Sequence, residues 1–389
     1  MTQSSTPCAP GQLSNRLTLF LLAMILIGGG AIRISGISHG VGFHPDERHM
    51  VSVVLQLKWE DLNPKSFAYG SLPYYLVFGA KELVAALVDV IGLAETSRHI
   101  RSYDGIFVVG RTVCSLVGLL GVVGVFVFCR AVGWPREISL FAALLLAFNV
   151  FHIQLSRFFT SDVILTTICT FALLALVRHL QSGGRGQLLL LGLLIGLACA
   201  TKIAGVILLV LAVPLITMQG WLRNHRITPS IIAAVVLIAI SFISFVATNP
   251  FAVLDMTTFL AHTGEQLRMV SGDSRPPYAI QYEGTAAYLY PLRQMAEYTI
   301  GPVVSLLFLV GAYLSLRTLR ANTWIIAIVP IAWCAIFFLA TGGSSVKFPR
   351  YLLPIYPTVM YVAAVGIFEL SRILKKRGKD ACGVAARLR

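Results

Sequence analysis

The chain has 389 residues, of which 57% are hydrophobic and 12% charged, with a formal net charge of +14. Soluble domains carry about 25% charged residues, so a mainly water-facing protein is excluded, and the mean hydropathy of +0.79 points the same way. The positive charge sits mostly in short gaps between apolar runs and forms neither an isolated basic tail nor a DNA-reading motif. No nucleic-acid partner is expected, and the charge reads as membrane orientation.

A membrane crossing takes about 20 apolar residues. In chain order, such runs fall at 17–37, 104–129, 137–155, 161–180, 186–201, 203–220, 229–248, 298–316, 322–341 and 351–371. The first is too long for a signal-peptide core and no small-x-small cleavage site follows it, so it is expected to remain as a span. An eleventh run, 71–93, carries Lys81 and Glu82 at its centre, where each charge costs roughly 2.5–3.5 kcal/mol. That run is predicted to lie along the interface as an amphipathic helix.

Charge placement supports ten crossings. A start inside puts Arg130, Arg136, Arg178, Arg185, Arg223, Arg226, Arg317 and Arg320 in cytoplasmic gaps, together with the tail residues Arg372, Lys375, Lys376, Arg377 and Lys379. An eleventh crossing would reverse the later gaps against the positive-inside rule. The expected architecture is therefore an all-α polytopic membrane protein of about ten transmembrane helices. It has a cytoplasmic tail over 1–16, a membrane domain over 17–372 and a basic cytoplasmic tail over 373–389. Outer segments are expected over about 38–103, with interfacial helices, and 249–297. The seven cysteines (Cys8, Cys114, Cys129, Cys169, Cys199, Cys334 and Cys382) show no CxxC spacing. They read as small apolar residues, not as a zinc site or disulfide framework.

Chemistry-bearing residues cluster just past the first run, in His44-Pro45-Asp46-Glu47-Arg48-His49. Pro45 suits a first helical turn, and the helix dipole favours ionised Asp46 and Glu47 there. Two carboxylates at one point can hold a divalent cation or take a proton from a hydroxyl. A solvated helix start is an equal reading of this string. The H-E-x-x-H spacing of a zinc site is missing. A second string, Arg157 through Asp162, is expected on the same side; Asp162 can cap a helix or face Asp46 as a second metal-ligating carboxylate, with Arg157 available to a phosphate. Lys202 and the Lys347–Arg350 segment are basic where the topology expects few basic residues. Snorkelling explains them; so does an anionic lipid phosphate. No phosphate loop of the G-x-x-x-x-G-K-[ST] type is present, so nucleotide-driven chemistry is unsupported.

Taken together, these strings resemble polyprenyl-phosphate-sugar-dependent glycosyltransferases of the GT-C fold, in particular the protein O-mannosyltransferase and aminoarabinose transferase group (glycosyltransferase family 39 and relatives). The matching text is Phe43-His44-Pro45-Asp46-Glu47, Tyr69-Gly70-Ser71-Leu72-Pro73-Tyr74-Tyr75-Leu76, Ser156-Arg157 through Ser161-Asp162, Thr201-Lys202, and Pro349-Arg350-Tyr351-Leu352-Leu353-Pro354. The resemblance implies a GT-C-like helical fold with its site at the outer membrane face. Asp46 would be the catalytic acid/base residue, with Glu47 beside it, and Asp46 and Asp162 would ligate a divalent metal (magnesium or manganese). Arg157, Lys202, Lys347 and Arg350 would hold the carrier phosphate, and His44, His49 and Tyr69 would line the substrate.

The implied reaction is inverting transfer of a hexosyl or pentosyl group from a polyprenyl-phosphate-linked donor to an unknown acceptor, in a bacterial or archaeal cell membrane. Better-known members have a large soluble C-terminal domain that has no counterpart after the last run here, which leaves the acceptor open. The alternative is a transporter or flippase of a lipid-linked or anionic substrate. Transporters usually carry inverted repeats and broken helices at the midplane, and the sequence shows no such symmetry. A non-catalytic assembly subunit would share the architecture but tolerate alanine at Asp46 and Asp162.

Overall fold

The structure is a computed structural model that describes residues 13–225, 227–317 and 324–387, the side chains of Asn224 and residues 376–387 excepted. Cys8, Arg226, Arg320 and the side chains of Lys376, Arg377, Lys379 and Cys382 lie outside what is described, as does most of the 1–16 tail. The helices in chain order are α1 (Asn15–Ile34), α2 (Pro45–Gln56), α3 (Leu72–Val90), α4 (Ala94–Ile100), α5 (Tyr103–Val132), α6 (Arg136–Ala147), α7 (Val150–Ser156), α8 (Ser161–Ser182) and α9 (Arg185–Thr201). They continue with α10 (Ile207–Asn224), α11 (Ile227–Thr248), α12 (Phe251–Leu254), α13 (Met256–Ser271), α14 (Leu289–Gln294), α15 (Pro302–Arg317), α16 (Trp324–Thr341) and α17 (Tyr356–Arg387). Among the described residues there is no strand, only an isolated bridge between Lys58 and Asp61.

Among the described residues each of the ten apolar runs is helical over most of its length, but not every one is a straight crossing. Seven helices are long and apolar enough to span a bilayer, and two further crossings are bent pairs, α6 with α7 at 61° and Leu289–Thr299 with α15 at 117°. The tenth, α9, has 17 residues and falls short of the usual length. The count of about ten is thus approximate: seven to nine by length and composition. The chain is an integral, multi-pass membrane protein.

Bends free backbone groups that lipid cannot satisfy, and polar side chains take them up. The Arg33 guanidinium is fully buried; its Nη1 donates to Gly29 O at 2.9 Å and to Ala147 O, the end of α6, at 2.8 Å. Its Nη2 lies 2.9 Å from His152 Nδ1. Asn149 starts α7 by accepting from His152 N at 2.8 Å and donates to Thr299 O at 2.8 Å, so the corner of one bent span is tied to the corner of the other.

Small residues let the spans approach closely, as lipid-embedded packing requires. A Cβ on Gly196 of α9 would stand 2.5 Å from Ser241 O of α11, and one on Gly311 of α15 would stand 2.0 Å from Val362 O of α17. The most enclosed spanning segments are Pro349–Lys375 and Ser161–Ser182. Arg350 and Asp162 sit at the starts of those segments, on the most enclosed part of the bundle.

The 71–93 run forms α3 and is not among the candidate spans. Lys81 is only 5% exposed, yet it is paired with Glu82 at 3.0 Å, and Glu82 with Arg101 at 3.1 Å. Leu83, Leu87 and Val90 are exposed on the same helix. Cys114, Cys129, Cys169, Cys199 and Cys334 are free thiols, and all but the half-buried Cys199 are buried.

Candidate active site

Four segments distant in sequence meet at one end of the bundle. Pro45 opens α2 after the extended His44, placing Asp46 and Glu47 in its first turn. Neighbouring helical residues point about 100° apart, since a turn takes about 3.6 residues, and the two carboxylates part company.

Asp46 faces Arg350, whose Nη2 lies 2.9 Å from Asp46 Oδ2. The same guanidinium reaches Asp162, with Nε 3.8 Å from Oδ2. Lys202 Nζ donates to Asp162 Oδ1 at 3.0 Å. The result is an alternating row, Asp46–Arg350–Asp162–Lys202, of two negative and two positive side chains. Asp162 is nearly fully buried. It does not cap α8: Thr160 is the capping residue, with no side-chain cap bond, and the Asp162 carboxylate is given wholly to the row.

Lys202 is extended between α9 and a 3-10 turn over Ile203–Val206. Its ammonium stands 4.6 Å above the Tyr351 ring and 5.8 Å from that of Tyr69. Tyr69 is brought there by its neighbour. Gly70 N donates to Thr201 O at 3.1 Å, and a Cβ at Gly70 would fall 1.9 Å from Ala200 O, so only glycine allows this contact. Burial lifts the Tyr69 phenol well above its usual range, and the nearby Asp46 and Asp162 charges add to the effect, so it stays a neutral hydrogen-bond donor.

Beyond this polar end opens a cavity of about 350 Å³. Asp162, Lys202, Tyr69 and Tyr351 border it; Leu165, Ile207, Phe245, Phe259 and Phe337 make most of its wall apolar. Asp46 and Arg350 do not border this cavity and are joined to it through the Arg350–Asp162 contact.

Several expected site residues stand elsewhere. Glu47, expected to act beside Asp46, is fully buried and clamped by Arg111, whose Nε and Nη2 donate to its two oxygens at 2.6 and 2.7 Å. A carboxylate held in that fork and shut from solvent cannot meet a substrate; Glu47 is a structural anion. Arg157, expected at the carrier phosphate, donates through Nη2 to Ser35 O at 2.6 Å and borders a separate pocket with Gly36, His39 and Phe43. Lys347 lines a third, polar chamber rather than the one bordered by Lys202.

His44 and His49 do flank Asp46. The His44 ring packs on Phe158 at 4.9 Å, and burial pulls its pKa below the usual 6.5 although Asp46 works in the other direction. His49 Nε2 lies 3.0 Å from Ser66 Oγ, and burial lowers its pKa too. Arg111 was missed in the sequence, although an arginine inside the 104–129 run is itself a signal, since intramembrane charges are seldom idle. Tyr351 and Tyr278 also belong near the row; the Tyr278 phenol is raised by burial and then by Asp46.

The pair expected to hold a divalent cation has its charge met by side chains: Arg350 stands between Asp46 and Asp162, and Lys202 takes the remaining Asp162 oxygen. Among the described residues no three His, Cys, Asp or Glu side chains converge as metal ligands. The residues present therefore do not fit a divalent ion without displacing Arg350.

Residues 104–246 match the profile of a family described as dolichyl-phosphate-mannose-protein mannosyltransferase, a stretch of less than half the chain. Among solved structures, the fold is similar to that of ArnT from Cupriavidus metallidurans bound to undecaprenyl phosphate, with a TM-score of 0.60 and 18% identity over 96% of this chain and 63% of that one. It is also similar to the archaeal oligosaccharyltransferase AglB from Archaeoglobus fulgidus in complex with an inhibitory peptide and a dolichol-phosphate, with a TM-score of 0.61 and 13% identity over 93% of this chain and 52% of that one. The chain thus has the GT-C-like helical fold, and it spans under two thirds of the length of either structure. No curated protein matches the sequence.

Proposed function

We propose that the chain is a membrane glycosyltransferase that takes a sugar from a polyprenyl-phosphate carrier and passes it, with inversion, to an acceptor nucleophile. The observation that carries this reading is the cavity of about 350 Å³, apolar along most of its wall and bordered by a polar cluster of Lys202, Asp162, Tyr69 and Tyr351. A prenyl chain matches the apolar part and a phosphate the cationic end. ArnT bound to undecaprenyl phosphate and AglB in complex with a dolichol-phosphate lend support from the same fold.

In this mechanism Lys202 and Arg350 meet the carrier phosphate, which loosens their hold on Asp162 and Asp46. Asp46 takes the proton from the acceptor hydroxyl or amine as its lone pair forms the new bond to the anomeric carbon. The bond from that carbon to the phosphate oxygen breaks, and its electron pair leaves with the polyprenyl phosphate, whose added charge the two cations stabilise. Arg350 and Lys202 supply the neutralisation first assigned to magnesium or manganese.

The site faces outward in this reading. Arg130, Arg136, Arg178, Arg185, Arg223 and Arg317 lie at or near the helix termini opposite the charged row, where the positive-inside rule puts the cytoplasm. A bacterial or archaeal cell membrane would then present the row to the exterior.

The test is release of free polyprenyl phosphate when purified protein in detergent meets a panel of polyprenyl-phosphate hexoses and pentoses together with a panel of hydroxyl- and amine-bearing acceptors. Release that needs Asp46 supports the reading. Intact donors throughout, or equal release by Asp46→Asn, would end it.

A further inference from the structure

Lys347, like Arg157, is a cation expected at the carrier phosphate that the donor mechanism does not use. It lines a polar chamber of about 390 Å³ with Ser274, Arg275, Tyr282, Glu283 and Ser345, within the roughly 300–1,000 Å³ of small-molecule sites. One segment borders both spaces: Ser344 and Val346 line the donor cavity, while Ser345 and Lys347 line the polar chamber.

Charge in the chamber is unbalanced. Arg275 has Glu283 at 3.8 Å. No carboxylate lies within ion-pair distance of Lys347 among the described residues; its Nζ has Ser345 O at 3.5 Å and the Tyr282 ring at 6.0 Å. An aromatic bridge leads from here to the reacting end. Tyr282 packs edge-on against Phe348 at 5.6 Å, and the Arg350 guanidinium lies 4.0 Å over the other contact of that bridge, the Phe348 ring itself. Arg350 in turn holds Asp46.

We infer that this chamber is the acceptor site and that Lys347 binds an anionic group, phosphate or carboxylate, on a hydroxyl-bearing sugar acceptor. The inference rests on the glycosyltransferase reading for the word acceptor, but the binding itself does not. The apolar cavity takes the lipid donor, and the polar, cation-bearing chamber on the other face of the 344–347 segment takes a hydrophilic partner. Aromatic rings such as Tyr282 suit the apolar faces of a sugar, while Ser274 and Ser345 suit its hydroxyls.

Saturation-transfer NMR on the purified full chain, with glucose 6-phosphate, glucuronate and methyl glucoside as probes, tests this. The expected result is saturable binding of the two anionic probes and at least fivefold weaker binding of methyl glucoside. Lys347→Gln should abolish the preference for the anionic probes, and Lys347→Arg should restore it. A phosphate-only or carboxylate-only response identifies which anion the chamber takes. Equal binding of charged and neutral probes, or anionic binding unchanged in Lys347→Gln, overturns the inference. Donor consumption by the unmodified protein is measured alongside: its absence defeats the glycosyltransferase reading, and loss of probe selectivity defeats this one.

Discussion

Glu47 accepts a hydrogen bond at 3.0 Å from the backbone N–H of Phe159, a residue 112 positions further along the chain. Glu47 follows Asp46 directly, and Phe159 is three residues before Asp162, so this bond sets the distance between the two carboxylates of the row. Arg111 locks the arrangement. Besides Glu47, it donates to Ile37 O, His39 O and Gly40 O at 2.8, 2.7 and 2.9 Å.

Breaking a buried ion pair by removing one partner costs about 3–5 kcal/mol, because the other charge is left without a partner. Glu47→Ala or Arg111→Ala is therefore expected to lower the melting temperature in detergent sharply. The double replacement Glu47→Leu with Arg111→Met should be milder than the sum of the two singles. Thermal unfolding followed by intrinsic fluorescence decides this; additive losses would mean that the pair does not act as a unit.

Asp46 and Asp162 should fail in different ways. Asp46→Asn removes the proton acceptor and is expected to lower kcat by roughly 10²–10⁴-fold with little change in donor KM. Asp162→Asn keeps that base but frees Lys202 and loosens Arg350, so its larger effect should fall on donor KM. Steady-state kinetics against donor concentration separates the two, and matching kcat losses for both variants would refute the division of roles.

Burial holds His44 and His49 below the ordinary histidine value of 6.5. Above pH 6.5 both are neutral, folded or unfolded, and contribute nothing to pH dependence. As pH falls below 6.5 the unfolded chain takes up these protons first, so stability declines until the folded site is protonated as well. Activity is expected to hold down to pH 6.5 and to fall only below it, when a cation forms beside Asp46. His44→Gln should move that acid limb. A profile unchanged in that variant would remove His44 from the pH response.

Charge neutralisation by Arg350 and Lys202 predicts that EDTA leaves transfer within about twofold of the untreated rate, whereas Arg350→Met lowers it far more. Activity lost to EDTA and regained with magnesium or manganese would return the metal to the site and give Arg350 the role of a place-holder.

Much of this site was legible in the sequence because charge is rare in so apolar a chain. Asp46, Asp162, Lys202 and Arg350 stood out as anomalies, and the structure joins all four. The spacing of ten apolar runs likewise carried the helices. What periodicity could not carry was direction. Whether Glu47 turns toward substrate or toward Arg111 depends on a partner 64 positions away. Arg157 and Lys347 had the right charge and side, yet packing sends them to other pockets. The corners in two of the spans were hidden for a related reason: Asn149 and Arg33 hold them by contacts across the bundle, which local hydropathy does not register.

The meeting of Gly70 with Thr201 is made by backbone atoms alone. Main chain against main chain means that, so long as Gly70 stays glycine, no exchange of a neighbouring side chain changes the hydrogen bond that makes the joint. Tyr69 and Lys202, mounted on either side of it, could be swapped over evolutionary time to suit another sugar or another carrier without altering how the two loops register. Selection for new specificity can thus work on the rim of the cavity while the frame that spaces it stays constant.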